Sequence, residues 1–421
     1  MRKIRSNPIT PEYGPLHGLR VMLTGVAFAG PFAARWLGDM GAEIIKIEIP
    51  GSGDTSRIGR RTETGVVPKW ISLGRNMNSF EFNMNFDKVP ESKEVFVDLV
   101  KQCDIWINSV PNIGKHGPTD ELAMSANPKL VIVHVTGYGL KQNGGVDRYL
   151  GKPCVDPVGQ AFSGLAAMQG MPDGPYLTAN PLVCDITTAL FAACGSLAGY
   201  YSMLQTGKGQ VIDASMYESA AYLMSYHWCE QLNGGGNYKR TGPLNPLWRP
   251  FGYYECRDGK WVSVGVWGIG IWKKFCDLMG VSPDDFPYMD TCGQGNPELV
   301  KKMDALWLDW LSQHDAAEVE RIFMETGIPV SMLNTAEDAY ANPHWQARND
   351  FIKIIDATTG GEFVDIATMP RFGGTPCNVY KGAPLLGQES DAIMKEILGY
   401  SAEKIESLKA AGAVAASLTT K

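Results

Sequence analysis

The sequence predicts an open, doubly wound α/β domain followed by a smaller α+β domain. Three features carry that expectation. A β-α-β unit lies near the start, the same alternation repeats through residue 136, and a hairpin with an Asp-Gly turn lies beyond residue 250. The length, 421 residues, exceeds what one ordinary core holds, so two domains are expected.

The elements follow in order. Leu19-Arg20-Val21-Met22-Leu23 reads as a short buried strand, and Thr24-Gly25 turns the chain. Residues 31–40 have helical periodicity, with Phe32, Trp36, Leu37 and Met40 on one side. Gly41 closes that helix, and Glu43-Ile44-Ile45-Lys46-Ile47-Glu48 is the second strand. Strands joined this way pair in parallel through a right-handed crossover. A helix at 92–102, a strand at 104–108, a helix at 121–126 and a strand at 130–135 continue the pattern. A long helix from about residue 185 to 205 follows, then a strand at 210–214 and a helix from 215 to about 232. Gly234-Gly235-Gly236 marks a loop or hinge. Beyond it, residues 252–256 and 260–264 form the hairpin about Asp258-Gly259. Helices are expected at 272–279, 298–313 and 316–326. The smaller domain therefore spans about 228–335. Pro370, Pro376 and Pro384 mark an extended run able to wrap over a neighbour, and a polar helix ends the chain.

Composition narrows the function. Hydrophobic residues make up 44% and charged residues 20%, which argues against a disordered chain. The net charge of -7 repels phosphate backbones, so nucleic acid is not an expected partner. A phosphate-bearing small ligand remains compatible, because a helix N-terminus attracts anions locally. Met1-Arg2-Lys3 leads into Ser6-Asn7-Pro8, not an apolar run, so no secretory signal is expected. The apolar stretch at 188–201, interrupted by Gly195 and Gly199, is too short to span a bilayer and reads as a buried helix. No membrane association follows. Nine cysteines without a Cys-x-x-Cys read as reduced thiols, and the location as cytoplasmic. The six histidines show no pair at ligand spacing, so no metal is expected.

Few residues announce chemistry. Residues 25–30 join a strand to a helix and could hold a phosphate, but they match neither G-x-G-x-x-G nor a P-loop, which favours a structural turn. Asp185 sits at the predicted start of an apolar helix and reads as an N-cap, a position equally compatible with a nucleophilic carboxylate. His134 lies in an apolar strand and reads as a satisfied core histidine. Cys184 has no histidine placed to activate it, and no G-x-S-x-G elbow exists. Lys115 and His116 form a small positive site or a solvated loop.

Several motifs in order resemble the class III CoA-transferases. They are Pro15-Leu16-His17-Gly18-Leu19-Arg20-Val21, Ala29-Gly30-Pro31, Leu37-Gly38-Asp39-Met40-Gly41-Ala42-Glu43, Gly53-Asp54, Val135-Thr136-Gly137-Tyr138-Gly139, Gln160-Ala161-Phe162-Ser163-Gly164, Asp185 with Thr187-Thr188-Ala189-Leu190, Thr206-Gly207-Lys208-Gly209-Gln210, Asn342-Pro343-His344-Trp345 and Lys381-Gly382-Ala383-Pro384. The resemblance implies a Rossmann-like large domain built from residues 1–227 and a return segment, 336–421, with a small α+β domain at 228–335. It also implies ring-shaped subunits interlocked as a homodimer. It makes Asp185 the nucleophile that moves CoA from an acyl-CoA donor to a free carboxylic acid, through mixed anhydrides and an aspartyl-CoA thioester. No permanently bound cofactor is implied; acyl-CoA and coenzyme A are substrates. Val26, Ala27, Gly30, Lys46, Lys115, His116, Thr136 and Tyr138 are the implied CoA contacts. Tyr226, Trp228, Trp248 and Tyr253 are candidates for the acid pocket. The closest branch is that of the carnitine and bile-acid enzymes, so the acid is carnitine-like, bile-acid-like or a 2-hydroxy or aryl acid. The rival reading is an acyl-CoA racemase of the same fold. Such an enzyme needs two bases about the α-carbon, and where it carries a histidine this chain has Val155, before Asp156.

Overall fold

The computed structural model describes residues 7–236, 238–245, 247–292 and 295–415. The first residues of the expected leaderless start lie outside that range. The described chain divides into two compact units, one of residues 1–165, 179–226 and 347–421, the other of 166–178 and 227–346.

The first unit is built on six strands: β1 (Arg20–Thr24), β2 (Glu43–Glu48), β3 (Met77–Glu81), β4 (Ile105–Asn108), β5 (Val131–Thr136) and β6 (Gln210–Ser215). They form one parallel sheet in the order β3-β2-β1-β4-β5-β6. The order reverses between β1 and β4, where an open α/β sheet leaves a crevice at its C-terminal edge. The unit's helices include α1 (Ala29–Asp39), α2 (Pro68–Gly74), α3 (Ser92–Gln102), α4 (Asp120–Ala126), α5 (Asp156–Phe162), α6 (Val183–Thr206) and α7 (Met216–Leu223). Both sheet faces are covered, which is why β1, β4 and β5 read as continuous apolar runs. One face packs Ala33 and Leu37 of α1 and Ala189, Ala192 and Ala193 of α6 against Val21, Leu23, Ile107 and Val133. The other packs Phe96 and Leu99 of α3 against Met22 and Trp106, and is completed by Ile393, Met394, Ile397, Ile405 and Leu408 from the C-terminal segment.

Several elements escape the sequence reading, among them strand β3 and a second hairpin. Strand β3 carries Asn78, Ser79 and Glu81, a polar pattern unlike a central strand, yet all three are buried. Ser79 donates to Glu48 at 2.7 Å, and its N–H goes to Glu389 at 2.7 Å. The strand is polar because its partners are polar. The proline-bearing run is preceded by an antiparallel hairpin, residues Phe351–Ile355 and Glu362–Ile366.

Helix α6 corrects another expectation. The apolar stretch at 188–201 is only its centre; the helix runs for 24 residues. The helix accommodates its hydroxyls, since Thr187, Thr188 and Ser196 each donate to the carbonyl four residues back. By length and composition alone it is apolar enough to cross a membrane, with a mean hydropathy of 1.3. It is not buried all round. Thr188, Ala192, Gly199 and Met203 face inward, whereas Leu190, Phe191, Tyr201 and Leu204 are exposed. A Cβ on Gly199 would lie 2.6 Å from Ile212 Cδ1 and 2.8 Å from Val131 Cγ1, so only glycine lets the helix come so close to β5 and β6.

The second unit contains a three-stranded antiparallel sheet of Phe251–Glu255, Trp261–Gly265 and Val330–Met332. Its hairpin turns at Gly259, whose φ of 73° is the left-handed conformation that glycine tolerates. Trp272, Phe275, Trp307 and Phe323 fill its core. Its limits differ from the expected 228–335 at both ends. Residues 166–178 join it because Gly170 accepts the Gly242 N–H at 3.0 Å and Pro172 accepts from Arg240 at 2.9 Å. Residues 336–346 also belong to it, so the return to the first unit begins at residue 347 rather than 336.

A buried charge network ties the return segment to the first unit. Asp39 accepts from Arg75 at 2.6 Å and from Asn76 at 2.9 Å. Arg75 also reaches Asp365 at 2.9 Å and the Ile366 carbonyl at 2.7 Å, and Asn76 reaches the Asn378 carbonyl at 2.8 Å. Removing one member leaves the others charged and dry. Asp39→Ala is expected to destabilise the protein by about 3–5 kcal/mol, seen as a lower urea midpoint at unchanged slope.

Candidate active site

The site grows from the loop between β1 and α1. Lys46 on β2 is fully buried beneath that loop, with its ammonium 2.6 Å from Asp54 and bonded to the Gly25 carbonyl. Asp54 Oδ1 in turn accepts the N–H groups of Ala27 at 3.1 Å and Ser56 at 2.7 Å. Burial opposes the charge of Asp54, but Lys46 and the Ser56 bonds outweigh it and hold the carboxyl below its ordinary range. Ala27 is held with φ at 72°, an uncommon conformation for alanine. Gly25 and Gly30 are glycine for a steric reason, since a Cβ on either would fall within 2.6 Å of Ser109 Oγ.

Asp185 stands where two helix N-termini meet. It is the third residue of α6, not its cap. The helix starts two residues earlier than the apolar pattern indicated, and Leu182, in the left-handed region at φ 40°, precedes it without offering a side-chain acceptor. The carboxylate of Asp156, from the start of α5, takes that part instead, accepting the Cys184 N–H at 2.7 Å and the Asp185 N–H at 3.4 Å. The Asp185 side chain is thereby freed from capping. It accepts the N–H of Ala29, the first residue of α1, and feels the cation of Lys69. Burial, and then the negative Asp156, outweigh both and raise Asp185 from 3.8 to about 6.

A cleft of about 860 Å³ opens on Asp185. Five of the expected CoA contacts line it: Val26, Ala27 and Gly30 from the β1–α1 loop, and Thr136 and Tyr138 from the end of β5. Thr136 is held by Asp213 at 3.0 Å. Lys46 and His116 do not line that cleft; they border an adjoining hollow of about 350 Å³ that shares Val26, Val110, Pro111, Asn112 and Ile113 with it. Lys46 is no free cation, because its ammonium is committed beneath the loop. His116 lies 2.7 Å from Asp87, and the exposed Lys115 lines neither hollow. Of the four aromatics proposed for an acid pocket, Tyr226 alone belongs to the unit that holds the cleft, and it is absent from the lining. Tyr226 is exposed; Trp228, Trp248 and Tyr253 belong to the second unit, where Trp248 stacks on Tyr288 at 5.6 Å.

Other nucleophiles fit poorly. Burial pushes the Cys184 thiol up to about 12, and Cys154 is likewise raised by burial. His134 is satisfied as expected, by Asn108 at 3.1 Å and Asp120 at 2.9 Å. Val155 is exposed on the cleft and supplies no base. Among the described residues no cluster of three or more His, Cys, Asp or Glu is arranged for a metal ion. Sequence reasoning missed Lys69, whose place beside Asp185 depends on how α2 packs. It noticed Asp156 only as the neighbour of a missing histidine, although Asp-Pro opening a helix was a visible signal.

A family model described as CoA-transferase family III matches residues 16–390. Among curated proteins, the chain is similar to bile acid CoA-transferase BaiK of Clostridium scindens. The two are 33% identical over 412 residues, covering 96% of this chain and 90% of the relative. The fold is shared with the crystal structure of a CAIB/BAIF family protein from Brucella suis, at a TM-score of 0.76 and 23% identity, covering 92% of this chain and 100% of that one. It is also shared with Rv3272 from M. tuberculosis, at 0.75 and 20%, covering 90% and 99%.

The raised Asp185 has a consequence for stability. Its folded-state proton affinity exceeds the unfolded one, so its charge costs nothing below pH 3.8 and a growing amount as pH rises to about 6. Asp185→Asn removes that cost. It is expected to unfold about 1–3 kcal/mol harder than the native chain at pH 7.5, with the gain vanishing near pH 4 in urea titrations.

Proposed function

The chain belongs to CoA-transferase family III and is a CoA-transferase, which acts on CoA thioesters; on that premise we propose that Asp185 is its covalent nucleophile. The carboxylate attacks the thioester carbonyl of the donor acyl-CoA, the C–S bond breaks, and CoA leaves as thiolate while a mixed anhydride forms. The thiolate then attacks the aspartyl carbonyl of that anhydride. The anhydride C–O bond breaks, the donor acid departs as carboxylate, and an aspartyl-CoA thioester remains. The acceptor carboxylate attacks this thioester and expels the thiolate, giving a second anhydride. Attack of the thiolate on its acceptor carbonyl yields the new acyl-CoA and regenerates Asp185. No net proton is consumed. A carboxylate nucleophile suits this course because its anhydride is as activated as the thioester.

The observation that carries the reading is the placement of Asp185: its carboxyl lines the cleft, ionised above about pH 6, with the Ala29 N–H directed at it. Backbone N–H groups at a helix start favour the oxyanions of acyl transfer. The pyrophosphate of CoA is assigned to the same loop, beside the N-terminus of α1.

For the acceptor we infer a bulky carboxylic acid. The apolar lining of the cleft supports it, with Val155, Leu182, Met216 and Tyr138, as does the likeness to the bile acid CoA-transferase BaiK. Carnitine-like, 2-hydroxy and aryl acids belong to the same panel. The homodimer is supported by the apolar stripe left open on α6 and α7, where Phe191 and Tyr222 pair edge to face and Leu190, Tyr201, Leu204 and Leu223 are exposed. Light scattering on the purified chain reads its mass directly.

Incubation with an acyl-CoA and hydroxylamine is expected to convert Asp185 to its hydroxamate, seen in the mass of the peptide that contains it. Asp185→Ala is expected to lose at least about a thousandfold in transfer rate. An unmodified peptide together with a fully active Asp185→Ala variant would refute the covalent route. In deuterated water, a racemase would exchange the α-proton of a 2-methylacyl-CoA; no exchange is expected here.

A further inference from the structure

Asp156 is 3% exposed and opens α5. Its Oδ1 accepts from Cys184 and Asp185, and its Oδ2 accepts from Gln160 Nε2 at 2.6 Å. All three partners are donors, the pattern an ionised carboxylate satisfies. Cys184 and Asp185 hold the second and third positions of α6, and their N–H groups are those a helix ordinarily turns to its own cap. Here they are taken by a carboxylate from another helix. Gln160 extends the brace: it donates to the Ala179 carbonyl at 2.8 Å and accepts the Ala179 N–H at 2.8 Å. The chain entering α6 is thus clamped to α5.

Capping alone does not call for a charge, since Ser, Thr and Asn cap helices as well as Asp does. A second buried carboxylate next to Asp185 is the costlier choice. We propose that Asp156 is a positioning residue for the transfer reaction: from α5 it fixes the helical turn that carries Asp185 and sets a second negative charge beside that carboxylate, making it a stronger nucleophile. The inference rests on Asp185 being the nucleophile. The groups facing Asp185 come from several elements: Asp156 from α5, Lys69 from α2, the Ala29 N–H from α1, Cys154 from the segment before α5 and Cys184 from its own helix. Both thiols are raised by burial and stay neutral at working pH. Asp156 and Lys69 are therefore the charged neighbours, and they act in opposite directions. Burial together with Asp156 prevails, which leaves a more basic and hence more reactive oxygen.

Asp156→Asn retains an oxygen for the Cys184 N–H and removes the charge. The rate of Asp185 acylation in a single turnover, trapped with hydroxylamine and followed across pH, reads its effect. The acid limb, expected near pH 6 in the native enzyme, should move down by roughly half a unit to one unit, and the plateau should fall about tenfold, with CoA affinity held within about twofold. Asp156→Glu keeps the charge on a longer stem; it should leave the limb in place and lower the plateau by a similar factor. An unmoved limb in Asp156→Asn overturns the proposal. Should that variant fail to fold, Asp156→Glu decides alone, and a native plateau rate overturns it. Absence of Asp185 labelling in the native enzyme is a separate result: it ends the covalent reading itself, and this inference with it.

Discussion

Two carboxylates, Asp156 at the start of α5 and Asp185 in the first turn of α6, stand side by side, the first buried and the second partly buried at the cleft. Like charges in such a place raise each other's cost, and the surrounding structure supplies what offsets it. Backbone N–H groups of α6 converge on Asp156, the N–H of Ala29 reaches Asp185, and the cation of Lys69 stands near. What remains uncompensated leaves Asp185 with a proton affinity raised to about 6. The cleft, the β1–α1 loop and the close packing of α1 on α6 all serve that arrangement.

The loop shows how far down the support extends. Ala29 presents its N–H because the preceding residues are braced by Asp54, which is itself held by Lys46 in the heart of the sheet. A lysine that the family resemblance assigns to the nucleotide thus turns out to be a foundation. Its ammonium is fully buried and paired with Asp54 and the Gly25 carbonyl, so its charge goes to fixing the β1–α1 loop. The same logic runs through Asp39 and Arg75, where buried charges join segments almost 300 residues apart in sequence. Ion pairs of this kind add little net stability, but leaving one incomplete is expensive, so they specify which segments must lie together.

Much of the fold was legible. Apolar runs marked β1, β2, β4 and β5, and Asp-Gly marked the hairpin, because each of these depends on neighbours a few residues away. Strand β3 was not legible, since its buried polar residues match partners contributed by β2 and by the C-terminal segment. The attachment of residues 166–178 to the second unit was hidden for the same reason. The site divided along similar lines. Val26, Ala27, Gly30, Thr136 and Tyr138 line the cleft beside Asp185, for backbone turns at strand ends are local. Lys115 and His116 do not line it, because where a long side chain points is decided by packing.

The sequence by itself determined the parallel α/β alternation, the family, and Asp185 as the residue to watch. It could not determine what Asp185 does in its helix. Local pattern made it an N-cap, whereas the fold brings Asp156 from another helix to do the capping and leaves the Asp185 carboxylate facing the cleft. Its proton affinity was equally out of reach, since burial and the neighbouring charge arise only when α1, α2, α5 and α6 pack together. Hydrogen bonding along the chain follows residue order; electrostatics follows distance, and distance exists only in the folded molecule.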